Sequence, residues 1–314
     1  SKIPPKHSSR MPLIDALKAL CCLLIVMHHL AMYGPMSNIA YPLLPAVIDW
    51  LREYGRIVVH MFFVISGFLL AAKLAPQGRP IVTHPMRLIQ QRYVRLVTPY
   101  LVALTVAIGC AAVARIWMSH ESIPSAPNFF QLLAHMLLLQ NLLDQEVLSV
   151  GVWYVAIDFQ LFALAVLLLW ISNHLQAHYP QLPALPWLGS LLILALTATS
   201  LFFFNRNPFW DETALYFFGS YGLGVLVYWV SESRYRWLWL IVLIGLIISA
   251  LMVDFRSRLA VAGCTMLLIG LIQYHDMLKQ VQVPNFVTFI GRASYSIFLI
   301  HFPVSLVINA AFFR

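Results

Sequence analysis

Nine stretches of this chain are each apolar over roughly the 20 residues a helix needs to cross a hydrocarbon layer. They are 13–33, 56–75, 93–117, 152–172, 187–204, 213–230, 237–253, 259–274 and 286–312, joined by short polar connectors. Lipid offers no partner to backbone N–H and C=O groups, so spans must be helices or closed barrels, and runs this long are helical. The expected fold class is therefore all-α, a polytopic transmembrane helical bundle with nine clear spans. A short tenth candidate, 129–143 (FFQLLAHMLLLQNLL), reads as a thin span, a re-entrant piece or an interfacial helix. With 61% AVILMFWYC and 10% charged residues, no charge block, low-complexity tract or long linker marks a second domain. Residues 1–314 read as a single transmembrane domain.

The formal charge of +8 does not point to nucleic acid, because the Lys and Arg are scattered among connectors. Membrane orientation explains them. Lys2, Lys6 and Arg10 precede the first span, and Lys73, Arg79, Arg87 and Arg92 follow the second, which places the N-terminus in the cytoplasm. The basic opening segment lacks a small-residue cleavage pattern, so the first apolar run reads as a retained span. Beyond residue 129 the charges do not choose a topology: Arg234 and Arg236 would be cytoplasmic with nine spans, Arg256 and Arg258 with ten. Cys21, Cys22, Cys110 and Cys264 fall inside apolar segments without CxxC spacing, and read as reduced core residues with no disulfide or metal implied.

Ionisable groups inside such spans are the informative residues, since each is costly unless partnered or wetted. In LKALCCLLIVMHHL (17–30), Lys18 and His29 are eleven residues apart. At 100° per residue that is three turns plus ~20°, one helix face with a rise of ~16 Å between them. Asp15 and Cys22 lie near the same stripe, and His28 is turned ~100° away. On these grounds alone, His29 is equally a packing histidine and Lys18 a snorkelling one.

Three further constellations share this character. In VVHMFFVISGFLLAAK (58–73), Ser66 and Gly67 allow close helix approach, and His60 lies two turns before Gly67 on the same face. In QQRYVRLVTPY (90–100), Arg92 and Arg95 open a span, and Arg87, Gln91 and Arg95 follow an i, i+4, i+8 line. Such a line either anchors to anionic lipid or holds a polyphosphate. In the late segments, Asp158 sits in an apolar run one turn after Tyr154, and Ser294, Phe298 and His301 follow an i, i+4, i+7 line. His29, His60, Asp158 and His301 together are hard to read as packing alone, because each needs its own partner in lipid.

These segments, in this order, resemble the acyltransferase-3 family of integral membrane acyltransferases. IDALK with His29 eleven residues after Lys18 is similar to the family's LDGLR-like opening and its histidine; FFVISGFLL is similar to its second-span motif. RYVRLVTPY resembles RRxxRIxPxY, VWYVAIDFQLF resembles WSLxxExxFYL, and GRASYSIFLIHFPV resembles GxxSYxxYLxHxP, so the likeness spans almost the whole chain. Four positions depart from the pattern: Lys18 stands for the family's Arg, His60 for an acidic residue, Asp158 for Glu, and Tyr154 for the serine of WSL. These departures bear on which acyl group and acceptor are used.

The resemblance implies an acyl-CoA-dependent O-acyltransferase in a bacterial inner membrane, with acetyl-CoA the commonest donor. The implied acceptor is a hydroxyl of a surface glycan or lipid-linked sugar. It further implies that His29 is the essential histidine, as general base or as transient acyl carrier, with Lys18 and Asp158 beside it in the chemistry. Lys18, Arg87, Arg92 and Arg95 would hold CoA phosphates. Asp15, His60, Ser66, Trp153, Tyr154, Ser294, Tyr295 and His301 would serve the acceptor or orient the base. Two other classes remain open from the residues themselves: a glycolipid transporter or flippase using the same polar interior without chemistry, and a helical assembly subunit with no site.

Overall fold

The computed structural model describes residues 11–179, 181, 187–275 and 277–314. Lys2, Lys6 and Arg10 lie outside them. The described residues form helices α1 (Pro12–Met32), α2 (Pro35–Ala40), α3 (Pro45–Tyr54), α4 (Val58–Leu74), α5 (Pro85–Trp117), α6 (Phe129–Met136) and α7 (Val152–His178). They continue with α8 (Leu188–Phe202), α9 (Ala214–Glu232), α10 (Arg236–Val253), α11 (Ser257–Tyr274), α12 (Met277–Gln280) and α13 (Asn285–Phe312), and no strand occurs among them. Proline opens α1, α2, α3 and α5, where its missing N–H costs nothing and its fixed φ suits the first turn.

Nine helical segments among the described residues are long and apolar enough to cross a membrane, one for each of the nine runs read from the sequence. Two differ in extent. The second is continuous from Pro45 to Leu74, because α3 joins α4 through a single 3-10 turn. The third begins at Pro85, so Arg87, Arg92 and Arg95 all stand on helix α5.

The tenth candidate does not cross. Only Phe129–Met136 is helical there, and eight residues rise about 12 Å. Asn128 and Gln131 close its start as a capping box. Leu138, at φ 56°, turns the chain out of helix just after it. His135 then ties the returning segment down: its Nδ1–H donates to the Gln131 carbonyl, and its Nε2 accepts from Leu148 N–H at 3.2 Å.

Helix α9 is the most enclosed of the nine, packed by α4, α7, α8, α10 and α11, while α10 turns Trp237, Leu238, Ile241 and Met252 outward as a hydrocarbon-facing helix does. The α4–α9 contact is made by reciprocal glycines. A Cβ on Gly67 would stand 1.9 Å from the Tyr221 carbonyl oxygen, and one on Gly224 1.9 Å from the Val64 carbonyl oxygen. Gly67 is thus a packing residue, as small residues at membrane helix crossings are. Gly67→Ala should cost about 1–3 kcal/mol as an overpacked contact against backbone that cannot rotate aside. A lowered melting temperature in detergent would register it, and an unchanged one would refute the close approach.

Two of the four cysteines depart from the core reading. Cys21 and Cys22 are buried, but Cys110 is half-buried and Cys264 is exposed on α11. The apolar run that contains Cys264 is a span, and spans have a lipid face.

Candidate active site

Helices α1, α4, α7 and α13 line two cavities, with α5 adding a wall to the first. The first, of about 320 Å³, is lined by Asp15 and Lys18 from α1, Ser66 from α4, Arg92 and Arg95 from α5, Tyr154 and Asp158 from α7, and Arg292, Ser294 and Tyr295 from α13. The second, of about 600 Å³, is lined by His28 and His29 at the far end of α1 and by Trp153 of α7. Connector and short-helix residues Arg52, Glu53, Arg56, Asn141, Asp211 and Glu212 complete its polar wall.

The lining residues fix the relative directions of the helices. On α1 the chain passes from Lys18 in the first cavity to His29 in the second, about 16 Å further along. On α7 it passes from Trp153 in the second to Asp158 in the first, so α7 runs antiparallel to α1. Helix α5 begins at the first cavity with Arg92 and ends with Ala111 and Ala114 against Phe302 and Leu306 of α13. Consecutive spans α5 and α7 are therefore antiparallel, and the segment between them stays on one side. This is the nine-crossing topology. It puts Arg234 and Arg236 at the first-cavity end of the bundle. Arg256, at the other end, is buried and structural, its guanidinium donating to Asn205 Oδ1 and the Leu201 carbonyl.

In the first cavity the charges are unequal. Lys18, Arg92, Arg95 and Arg292 face Asp15 and Asp158. Arg92 is already taken: its Nη2 donates to Asp158 Oδ2 at 2.5 Å, and its guanidinium lies over the Phe162 ring at 5.3 Å. Among the described residues Arg95 and Arg292 form no ion pair. Tyr295 is committed too, its hydroxyl donating to the Leu96 carbonyl at 2.9 Å to fix α13 on α5.

In the second cavity the two adjacent histidines are held differently. His28 Nδ1–H donates to the Leu51 carbonyl at 2.7 Å. His29 Nδ1 lies 2.7 Å from Nε2 of His301, and His301 Nδ1 lies 2.7 Å from the Phe298 carbonyl oxygen. The two imidazole planes are 8° apart with centroids at 4.9 Å, and a nitrogen–nitrogen separation of 2.7 Å is too short for face-to-face stacking, so the rings meet edge to edge.

That chain dictates the tautomers. A carbonyl only accepts, so His301 Nδ1 carries the hydrogen given to Phe298. In the neutral ring His301 Nε2 is then an acceptor, and His29 Nδ1 must donate to it. His29 Nε2 is left as an unprotonated nitrogen on a residue that lines the cavity. A proton arriving at that Nε2 is supported from behind by His301, as an orienting partner supports a catalytic imidazole.

Of the residues singled out in the sequence, the fold gathers Asp15, Lys18, Ser66, Arg92, Arg95, Tyr154, Asp158, Ser294 and Tyr295 around the first cavity. It places His29 and Trp153 in the second. His301 joins them through its bond to His29. It does not bring Asp158 or Lys18 to His29, which lines the other cavity. His28 also lines the second cavity despite its ~100° offset, because α3 and the following turn wrap that side of α1. Arg87 is exposed on α5 outside the first cavity's lining. His60 faces α9, with Nδ1 2.7 Å from Ser220 Oγ, and lines neither cavity.

Sequence reasoning missed Arg292, although it precedes Tyr295 by one turn in the same motif and the helical spacing used for His301 would have found it. It also missed Arg52, Glu53 and Arg56, at the start of the second span, and Asp211 and Glu212, in the connector before α9. Arg56 stacks over the Trp153 ring at 4.8 Å. Burial, with Asp211 and Asp144 nearby, raises the Glu212 carboxyl above its ordinary value. Among the described residues no group of His, Cys, Asp and Glu is arranged to hold a metal ion.

The family model described as an acyltransferase domain matches residues 12–314. The chain belongs to the acyltransferase-3 family. Both cavities and the histidine pair lie within the matched residues, and the nine apolar helices make this acyltransferase an integral membrane protein. No curated protein and no solved structure matches the chain.

Proposed function

We propose that the protein moves an acyl group from acyl-CoA, held in the first cavity on the cytoplasmic side, to a hydroxyl of a glycan or lipid-linked sugar in the second cavity. Acetyl is the group proposed. The observation that carries the reading is the His29–His301 pair at the edge of the second cavity, with its free Nε2 and a cationic cavity at the other end of the same helix seam.

Charge supports the donor side. Arg95 and Arg292 are free to take phosphate oxygens through charge-assisted hydrogen bonds, with Lys18 deeper in the cavity. Arg92 shares its guanidinium with Asp158, so to the Lys18, Arg87, Arg92 and Arg95 expected from the sequence the first cavity adds Arg292 as a phosphate partner. Arg87, exposed further along α5, stands where the nucleotide end would emerge. Asp158 Oδ1 and Arg92 Nε are buried without a hydrogen-bond partner among the described residues, and a bound ligand's polar groups satisfy such atoms. On the acceptor side, Trp153 offers an apolar ring face, with Arg52, Glu53, Asp211 and Glu212 as hydroxyl partners.

The transfer balances without a further reactant. His29 Nε2 takes the proton from the acceptor hydroxyl as its oxygen bonds to the thioester carbon, the C–S bond breaks, and the proton passes to the CoA thiolate. In the two-step form, Nε2 attacks the carbonyl and the C–S bond breaks to release the CoA thiolate; the hydroxyl oxygen then takes the acyl group as the C–N bond breaks, and its proton is left on Nε2 and passes to the thiolate. The test is release of free CoA thiol by purified protein, dependent on acceptor, beside mass spectrometry of the host's surface glycans with and without the protein. Movement of a glycolipid without thioester loss would replace this reading with the carrier.

The donor assignment has its own consequence. Replacing Arg95 and Arg292 together by Gln should weaken CoA binding about a hundredfold or more, since each of the two hydrogen bonds lost contributes about 1.5–3 kcal/mol. The loss would register as reduced thermal stabilisation by CoA. Unaltered affinity in the folded double variant would move the phosphates elsewhere.

A further inference from the structure

Phe298 is the one described residue that lines both cavities. Its ring is buried, 6% exposed, and held from two sides. Tyr154 meets it in a T-shaped contact, with centroids at 5.3 Å. Gly151 lies against its tip: a Cβ at Gly151 would stand 2.6 Å from the ring's Cζ. Gly151 itself has φ 90°, a left-handed conformation at the start of α7 that suits glycine, so the backbone there both accepts the turn and leaves the ring its place. The Phe298 carbonyl, meanwhile, receives the His301 Nδ1–H that orders the His29 pair.

The same residue therefore anchors the histidines through its backbone and stands between the cavities with its side chain. Any acyl group that travels from the cationic cavity, which Tyr154 also lines, toward His29 Nε2 meets this ring before it meets the imidazole. Resting on the acyl-CoA reading above, we propose that Phe298 sets the length of acyl group the enzyme accepts. A short acyl group passes beside the ring to reach His29. A longer chain has to displace an aromatic side chain wedged between Tyr154 and Gly151, in an interior too tightly packed to yield a methylene freely. Removing the ring joins the two cavities and gives the chain apolar space.

The test uses purified full-length protein and unreactive thioethers of CoA, S-ethyl, S-butyl and S-hexyl, beside CoA itself, with affinity read from thermal stabilisation. In the wild type, affinity should fall as the chain lengthens, by tenfold or more from S-ethyl to S-hexyl, since a single methylene in a shaped apolar pocket is worth about 10–200-fold. In Phe298→Ala the order should level or invert, and Phe298→Leu, which keeps a packed side chain, should fall between. A chain-length profile in folded Phe298→Ala and Phe298→Leu identical to the wild type, with CoA itself bound, overturns this proposal alone. No stabilisation by CoA or any thioether overturns the donor reading and this proposal with it.

Discussion

Replacing His29 by alanine should cost the enzyme about 10²–10⁴-fold in acyl transfer, the contribution of a positioned base, and more if the imidazole itself carries the acyl group. CoA affinity should hold, because His29 lines the second cavity and the phosphate-binding cations line the first. His28 is the informative comparison. It lies in the same cavity, but its Nδ1–H is spent on the Leu51 carbonyl and no second imidazole backs it. His28→Ala should therefore lose much less activity. Both variants need matched melting behaviour before transfer is compared. Substantial transfer by His29→Ala, or an equally inactive but folded His28→Ala, would remove the His29–His301 pair from the chemistry.

The second large effect falls on folding. Asp158 is the counter-charge of Arg92 in a span, and removing one partner of a buried ion pair leaves the other uncompensated, at about 3–5 kcal/mol. The lower end applies here, because the Arg92 side chain keeps 28% exposure against 6% for Asp158. Asp158→Ala should melt well below the wild type, and Asp158→Asn should also lose stability, since the amide keeps the shape but not the charge. Replacing both residues together, Arg92→Met with Asp158→Leu, should restore much of the loss. Wild-type melting of Asp158→Ala would show the pair to be energetically idle. An activity loss in Asp158→Asn alone is thus no measure of a catalytic role.

Much of the bundle was legible because lipid enforces simple rules. Among the described residues each of the nine apolar runs became a helical segment, and the 3.6-residue period placed Lys18 and His29 along one seam of α1. The seam was right and its meaning incomplete, since a shared helix face does not say how many cavities it borders. What pairs with what was not legible. Arg92 finds Asp158 sixty-six residues away, and His29 finds His301 at a separation of 272, through packing of α5 on α7 and α1 on α13. The tenth candidate misled because FFQLLAHMLLLQNLL is apolar enough to enter lipid, but Leu138 turns left-handed and ends the helix. The polar wall of the second cavity escaped for the opposite reason. Arg52 lies on α3, ahead of the run 56–75 read as a span, Arg56 stands at the first residue of that run, and Asp211 and Glu212 lie in the connector before α9.

An odd number of spans among the described residues sets Met11 and Arg314 at opposite ends of the bundle. Helices α1 and α13 run in the same direction, so Pro12 lies at the end of the bundle that holds the cationic cavity and Phe312 at the end that holds the histidine cavity. A reporter fused at either end is therefore also a probe of one side of the chemistry. The end at α13 lies on the helix that carries Phe298 and His301, so load placed there reaches the wall between the two cavities only through Pro303, where the helix lacks a ladder hydrogen bond.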